Sequence, residues 1–232
     1  MPALLTMLEG RFPIARHEHV AALYRGREGA FRFVAFLNEG LAGGELCCCV
    51  GTEEYQSELL ARLRNLRPDV DDFLATRQLT LDRGAPDAKA MRDHLQGVFA
   101  RAEKSRAPAL RWLEEAGWAG ATGLPQARYF EFHALLNFQV KHYPGAAICQ
   151  FALDTLDPPT LCAAIAVHRH LIIENTFVRD NPFYVPPEKY LSLYEKDRHH
   201  EVEKAFRDVG FDTDKLLAAL QGYGRLHPGS GI

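Results

Sequence analysis

The sequence predicts an α/β fold of three layers: a mostly parallel sheet with helices on both faces, followed by C-terminal helices. Three observations carry this. Short apolar runs alternate strictly with stretches of helical periodicity. The connections between the runs are too long for hairpins, so successive strands must be joined by crossovers. Two of the runs, "ELCCCVG" and "GAAICQFAL", are apolar without alternation, as expected of parallel strands covered on both faces.

The elements follow in order. "HVAALY" (19–24) is short and apolar and reads as a buried strand. "EGAFRFVAFLNEGLAGG" places Phe33, Phe36, Leu37 and Leu41 at helical spacing and stops at Gly43-Gly44. "ELCCCVG" (45–51) is the second strand. Thr52 is the expected N-cap of the helix "TEEYQSELLARLRNL", whose apolar stripe is Leu59, Leu60, Leu63 and Leu66. "RQLTLD" (77–82) is a third strand. Residues 87–116 read as one or two helices, with Pro108 opening the second. "GWAGATGL" (117–124) is a glycine-rich strand candidate. "QARYFEFHALLNFQVKHY" is a helix ended by Pro144, and "GAAICQFAL" (145–153) a strand. Asp157 caps the helix of "DPPTLCAAIAVHR", with proline in its first turn, and "HLIIE" (170–174) is the last strand. Beyond Leu191 the sequence becomes charged and helical through residue 224, to pack on the domain or to project from it. "RLHPGSGI" reads as a disordered tail.

Composition narrows the function classes. With 27 basic and 30 acidic side chains the net charge is −3, which gives no electrostatic reason to bind nucleic acid or an anionic membrane directly. No uncharged apolar stretch approaches the roughly 18 residues that a membrane span needs. The five cysteines are odd in number and three are adjacent, Cys47 to Cys49, so a reduced cytoplasmic protein is the expectation. A thiol sensor or soft-metal site is the chemical reading of these cysteines, Cys149 being placed on a strand neighbouring theirs. Buried small hydrophobes is the plain one, since no CxxC or Cys-His zinc spacing occurs. Of the histidines, His19 and His168 lie near strand ends, where each is either a ligand contact or a satisfied core side chain. No nucleophile elbow is present, so no catalytic residue is assigned.

In a parallel sheet, ligands gather beyond the carboxyl ends of the strands. The first turn there, "YRGREGAF", keeps Gly26 and Gly29 but lacks the Lys-Ser or Lys-Thr of a phosphate loop. Arg25 and Arg27 could hold an anion; otherwise the stretch is a plain turn into a helix. Glu53 and Glu54, at the end of the second strand, sit where an ATPase keeps a catalytic glutamate, and equally where acidic side chains favour a helix N-terminus.

The run over 19–54 resembles the opening of the MEDS sensory domain, named for methanogens, methylotrophs and a dichloromethane-responsive regulator. His19, Tyr24, Gly40-Leu41 and Gly44-Glu45 stand in the family's places. "ICQFALD" resembles its Cys-Gln-Tyr-Asp strand, with Phe151 for the Tyr. "AVHRHLII" resembles its His-Pro turn, with His168 as the His and Arg169 for the Pro. "NPFYVPPEKYL" (181–191) resembles its closing segment almost letter for letter. In the helix over 126–142, Glu131 or His133 is the counterpart of the family's Tyr-Glu pair.

The resemblance covers about residues 15–191 and divides the chain into a lead-in (1–14), a sensory domain (15–191), a helical extension (192–224) and a tail (225–232). It implies a RecA/KaiC-like fold that has lost its ATP-binding loop and senses small hydrocarbon derivatives. The expectation is a non-catalytic sensory domain without cofactor or metal. It would bind a small, fairly apolar molecule and relay it to a regulatory partner (a kinase, anti-sigma or DNA-binding protein), with a homodimer as a further option. The candidate ligand-binding residues are His19, Tyr24, Arg25, Arg27, Glu53, Glu54, Cys149, Gln150, His168, Asn181 and Tyr184. The proline-rich segment at 181–191 is biased to extended geometry and is expected to cross the sheet's end with Phe183 or Tyr184 pointing inward. It would serve as a lid over a pocket framed by His19, Tyr24 and His168, or as a structural strap. The alternatives are a nucleotide-binding or weakly ATP-hydrolysing relative, and a thiol- or metal-responsive switch.

Overall fold

The computed structural model describes residues 4–7 and 12–226. Its centre is a seven-stranded sheet in the order β5-β4-β6-β7-β3-β8-β9. Here β3 is Glu18–Tyr24, β4 Leu46–Val50, β5 Leu79–Asp82, β6 Leu110–Glu115, β7 Gly145–Ala152, β8 His170–Ile173 and β9 Thr176–Val178. Every pairing is parallel except β8 with β9. A separate antiparallel pair, β1 (Leu4–Met7) with β2 (Phe12–Ala15), lies largely within the expected lead-in, and Phe12 and Ile14 are buried in the core.

Alternation along each strand sorts the core into two halves. On one face Val20, Ala22, Cys47, Cys49 and Ile148 meet α1 (Gly26–Ala30), α2 (Val34–Ala42), α3 (Glu53–Leu66) and α4 (Val70–Ala75). On the other, Ala21, Cys48, Trp112, Cys149 and Phe151 meet α5 (Ala88–Ser105), α6 (Gly117–Thr122), α7 (Gln126–His142) and α8 (Pro158–Val167). Thr52 and Asp157 cap α3 and α8 as the sequence indicates, accepting the N–H of Tyr55 at 3.2 Å and of Thr160 at 2.7 Å. The C-terminal α9 (Pro187–Ser192), α10 (Glu195–Asp208) and α11 (Thr213–Leu226) pack onto the domain, α10 and α11 against α8. Of the tail expected over 225–232, Arg225 and Leu226 belong to α11 and the rest lies outside the described residues.

Four local expectations need correction. Residues 110–115 are the central strand β6, not a helix: its buried Arg111 and Glu114 mimic helical polarity, but both charges are paired inside the protein. Residues 117–122 form a short helix, not a strand, ended by Gly123 at φ +76°. The helix expected across 28–44 breaks between α1 and α2, letting Phe31 stack on Tyr55 at 5.2 Å while Phe33 and Phe36 enter the core. Cys149 is not on a strand neighbouring the Cys47–Cys49 run, since β6 lies between β4 and β7.

Candidate functional site

The carboxyl end of the sheet holds the turn where a phosphate would sit. Gly26 enters α1 with φ +59°, and its N–H donates to the Asp154 carboxylate at 3.0 Å. A carboxylate therefore occupies the backbone donor that a phosphate loop offers to its anion. Both arginines are engaged: Arg25 pairs with Glu174 at 2.6 Å, and Arg27 pairs with Glu58, which Arg62 ties to Glu28. Glu53 pairs with Arg83 at 3.0 Å, and Glu54 is exposed in the first turn of α3. Tyr24 donates to Glu115 at 3.4 Å, and Gln150 donates to the Tyr55 hydroxyl at 2.7 Å. Burial, then the Glu115 charge, raises the Tyr24 pKa, and burial raises that of Glu115. This end thus collects Tyr24, Arg25, Arg27, Glu53, Glu54 and Gln150.

The remaining candidates lie elsewhere. His19, at the start of β3, turns under α7 and meets Cys149, His168 and His133. Its Nε2 is 3.2 Å from Cys149 Sγ, and its ring lies 4.2 Å from that of His168 and 5.6 Å from that of His133. One ligand atom from each of the four side chains falls within 4.8 Å of all the others, and all four residues are buried. A pocket framed jointly by His19, Tyr24 and His168 does not form, because His19 and Tyr24 stand at opposite ends of one strand.

Two of the imidazoles are held from behind. His168, at the C-cap of α8, has Nδ1 2.6 Å from the carbonyl of Ala164. His133 has Nε2 3.1 Å from Glu114 Oε1. Glu114 is fully buried and also accepts from Trp112 and Trp118 at 3.0 Å and from Tyr129 at 2.8 Å. Burial opposes its ionisation, but His133 and the indole donors outweigh this and hold its pKa at about 2. Burial, reinforced by the neighbouring imidazoles, lowers His19 well below the ordinary range. The same causes bring His168 to about 3, so both are neutral near pH 7. Burial and then the Glu114 charge push the Cys149 thiol up. His19 Nδ1, His133 Nδ1 and His168 Nε2 have no hydrogen-bond partner.

A partly open cavity of about 370 Å³ reaches this cluster from the amino edge of the sheet. His19 and Asn137 stand in its wall with Arg16, His17, Arg179 and Tyr184. The segment after β9 closes it. Asn181 Nδ2 donates to the carbonyls of Ile165 at 2.7 Å and His168 at 3.0 Å, fastening the segment to the end of α8. Phe183 turns away and stacks on Phe206 of α10 at 4.3 Å, while Tyr184 faces the cavity. The segment therefore crosses the amino edge rather than the carboxyl end. The reason is β9, which turns the chain back through Glu174 at φ +52° and Asn175.

His133 and Glu114 are the residues that sequence reasoning left out of the site. A signal for His133 exists: with Asn137 it forms a polar i, i+4 pair inside a stretch of α7 otherwise filled by Phe130, Phe132 and Leu136. Glu114 was hidden by reading its strand as a helix.

A curated relative, the transcriptional repressor DcmR of Methylorubrum extorquens, is 26% identical over 157 residues, which cover 67% of this chain and 59% of that protein. The chain thus spans less than two thirds of the relative's length. The sequence profile of the MEthanogen/methylotroph, DcmR Sensory domain matches residues 18–169, from the start of β3 to the end of α8, taking in all four clustered residues. With that match over more than half of its length, the chain belongs to the MEDS family of sensory domains.

Proposed function

We propose that the chain detects a small molecule in the cavity at the amino edge of the sheet and relays the event, without catalysis, to a regulatory protein partner. The observation that carries this is the cavity's back wall: His19 joins it to a buried cluster in which one nitrogen of each imidazole has no hydrogen-bond partner. The volume of about 370 Å³ falls within the range of roughly 300–1,000 Å³ common for small-molecule sites. Its lining suits a molecule with a polar or anionic end more than a bare hydrocarbon. Arg16, Lys141, Arg169 and Arg179 face Glu18 and Asp180 there, and Arg16 Nε has no hydrogen-bond partner. His17 and Asp180 adopt left-handed backbone, at φ +71° and +50°, a conformation kept at cost and concentrated where sites are built. The nucleotide reading is disfavoured by Asp154 on the Gly26 N–H and by the pairing of Arg25 and Arg27.

The test is native mass spectrometry of the purified chain for a retained small molecule, with calorimetry using formate, methanol and dichloromethane as probes. The expected result is saturable binding that Tyr184→Ala abolishes while the melting temperature holds. Binding that survives both Tyr184→Ala and Arg16→Ala sinks the assignment to this cavity.

A further inference from the structure

We propose that His19, His133, Cys149 and His168 form a binding site for a divalent late first-row transition metal ion, Zn²⁺ foremost. The donors come from four separate elements, β3, α7, β7 and the end of α8, which is why no spacing motif announces them. Three observations converge. No two donor atoms are more than 4.8 Å apart, and all four residues are buried. Two of the cluster's imidazole nitrogens, His133 Nδ1 and His168 Nε2, are buried without a hydrogen-bond partner, an uncommon cost to concentrate in one spot of a core. The opposite nitrogens of two rings are already fixed. Donation by His168 Nδ1 to the Ala164 carbonyl leaves Nε2 as a lone pair, and donation by His133 Nε2 to Glu114 leaves Nδ1 as one. A carboxylate or carbonyl behind the ring is the arrangement that orients metal-binding histidines. Trp112, Trp118 and Tyr129 hold that carboxylate in turn.

The chemistry selects the ion. Three neutral imidazoles and one thiolate suit Zn²⁺ and its neighbours and leave no oxygen cage for Mg²⁺ or Ca²⁺. On binding, the Cys149 Sγ–H proton leaves to solvent as the metal–sulfur bond forms. The thiolate and the Glu114 carboxylate then balance a divalent charge inside an aromatic shell of Tyr129, Phe130 and Phe151. His19 Nε2 and Cys149 Sγ, 3.2 Å apart, are already near the roughly 3.3–3.6 Å between donors on a tetrahedral zinc. His19 in the cavity wall gives the ion its way in.

The site shares His19 with the proposed ligand cavity but stands on its own evidence. The test takes the full chain, without a histidine tag, stripped by chelator and titrated with Co²⁺. One equivalent is expected to bind, with visible bands of tetrahedral cobalt and a near-ultraviolet thiolate-to-cobalt band. Cys149→Ser should remove the near-ultraviolet band, His168→Gln should weaken affinity at least tenfold, and Cys162→Ser should change neither. No cobalt uptake by the wild-type chain, or a near-ultraviolet band that persists in Cys149→Ser, overturns the proposal. Because the wild-type titration needs no variant, misfolding of a variant leaves the test intact. Cobalt uptake with no response to formate, methanol or dichloromethane sustains the metal site and fails the ligand reading; the opposite pair of results does the reverse.

Discussion

Arg111 shows how a single glycine can be fixed by a neighbour far along the chain. Its guanidinium is buried on β6, pairs with Glu45 and donates to the Phe36 carbonyl at 2.6 Å. The space it fills exists because residue 40 has no side chain: a Cβ there would stand 2.5 Å from Arg111 Cδ and 2.9 Å from Cys47 Sγ. The sequence shows Gly40 and Glu45 as resemblance positions without their reason, which is this one buried cation. Gly40→Ala is expected to cost about 1–3 kcal/mol by overpacking, read as a lower urea midpoint with an unchanged slope. An unchanged midpoint would mean that Arg111 is free to move. The adjacent cysteines make a second residue-scale case. Cys47 and Cys49 face one half of the core and Cys48 the other. Burial foremost pushes the Cys48 thiol up to about 12 and raises Cys47 and Cys49 as well. A thiol reagent at pH 8 should therefore leave all three unmodified in the native chain and label all five cysteines in denaturant. Native labelling of two or more of the adjacent three would show that β4 opens.

Elements were legible wherever one physical pattern dominated. β3, β4, β7, α3, α7 and α8 followed from apolar runs, helical stripes and caps. β6 was not, because a strand buried on both faces that carries Arg111 and Glu114 breaks the rule that buried strands are apolar, and only the partners across the core excuse it. β9 was not legible either. Its two-residue turn uses Glu174 in the left-handed region, where glycine or asparagine is the usual signal. That short hairpin moved the closing segment to the other end of the sheet and separated the candidate residues into two groups. Asn181, His168 and His19 were picked out by resemblance; the meeting of the two histidines with His133 depends on tertiary contacts that no local pattern encodes. At the other end, α1 keeps the place of a phosphate turn but presents its first N–H to Asp154. Calorimetry with ATP and magnesium should accordingly show no binding. Micromolar affinity that disappears on Arg27→Ala would mean that the Arg27–Glu58 pair opens to admit phosphate, and would revive the nucleotide reading.

At the scale of the whole molecule, the two faces of the sheet are unequal. α1 to α4 cover one, while α5 to α8 and the C-terminal helices build a thicker layer on the other. The sequence left open whether the charged C-terminal stretch packs or projects; Phe206 decides it, being fully buried and stacked on Phe183. Phe206→Ala is expected to cost about 3–5 kcal/mol of stability, against almost nothing for a projecting arm, as a melting curve would show. The closing segment that carries Phe183 is also tied through Asn181 to the carbonyl of His168. One short stretch of chain therefore touches the histidine cluster, the cavity through Tyr184, and α10 through Phe183. Thermodynamic reciprocity gives that stretch a two-way meaning. If a molecule in the cavity alters by some factor how tightly α10 and α11 are gripped from outside, gripping them must alter the cavity's affinity by the same factor. Under the proposed relay, α10 and α11 would set the threshold at which the input is heard, and a partner's abundance would become part of the sensor's calibration.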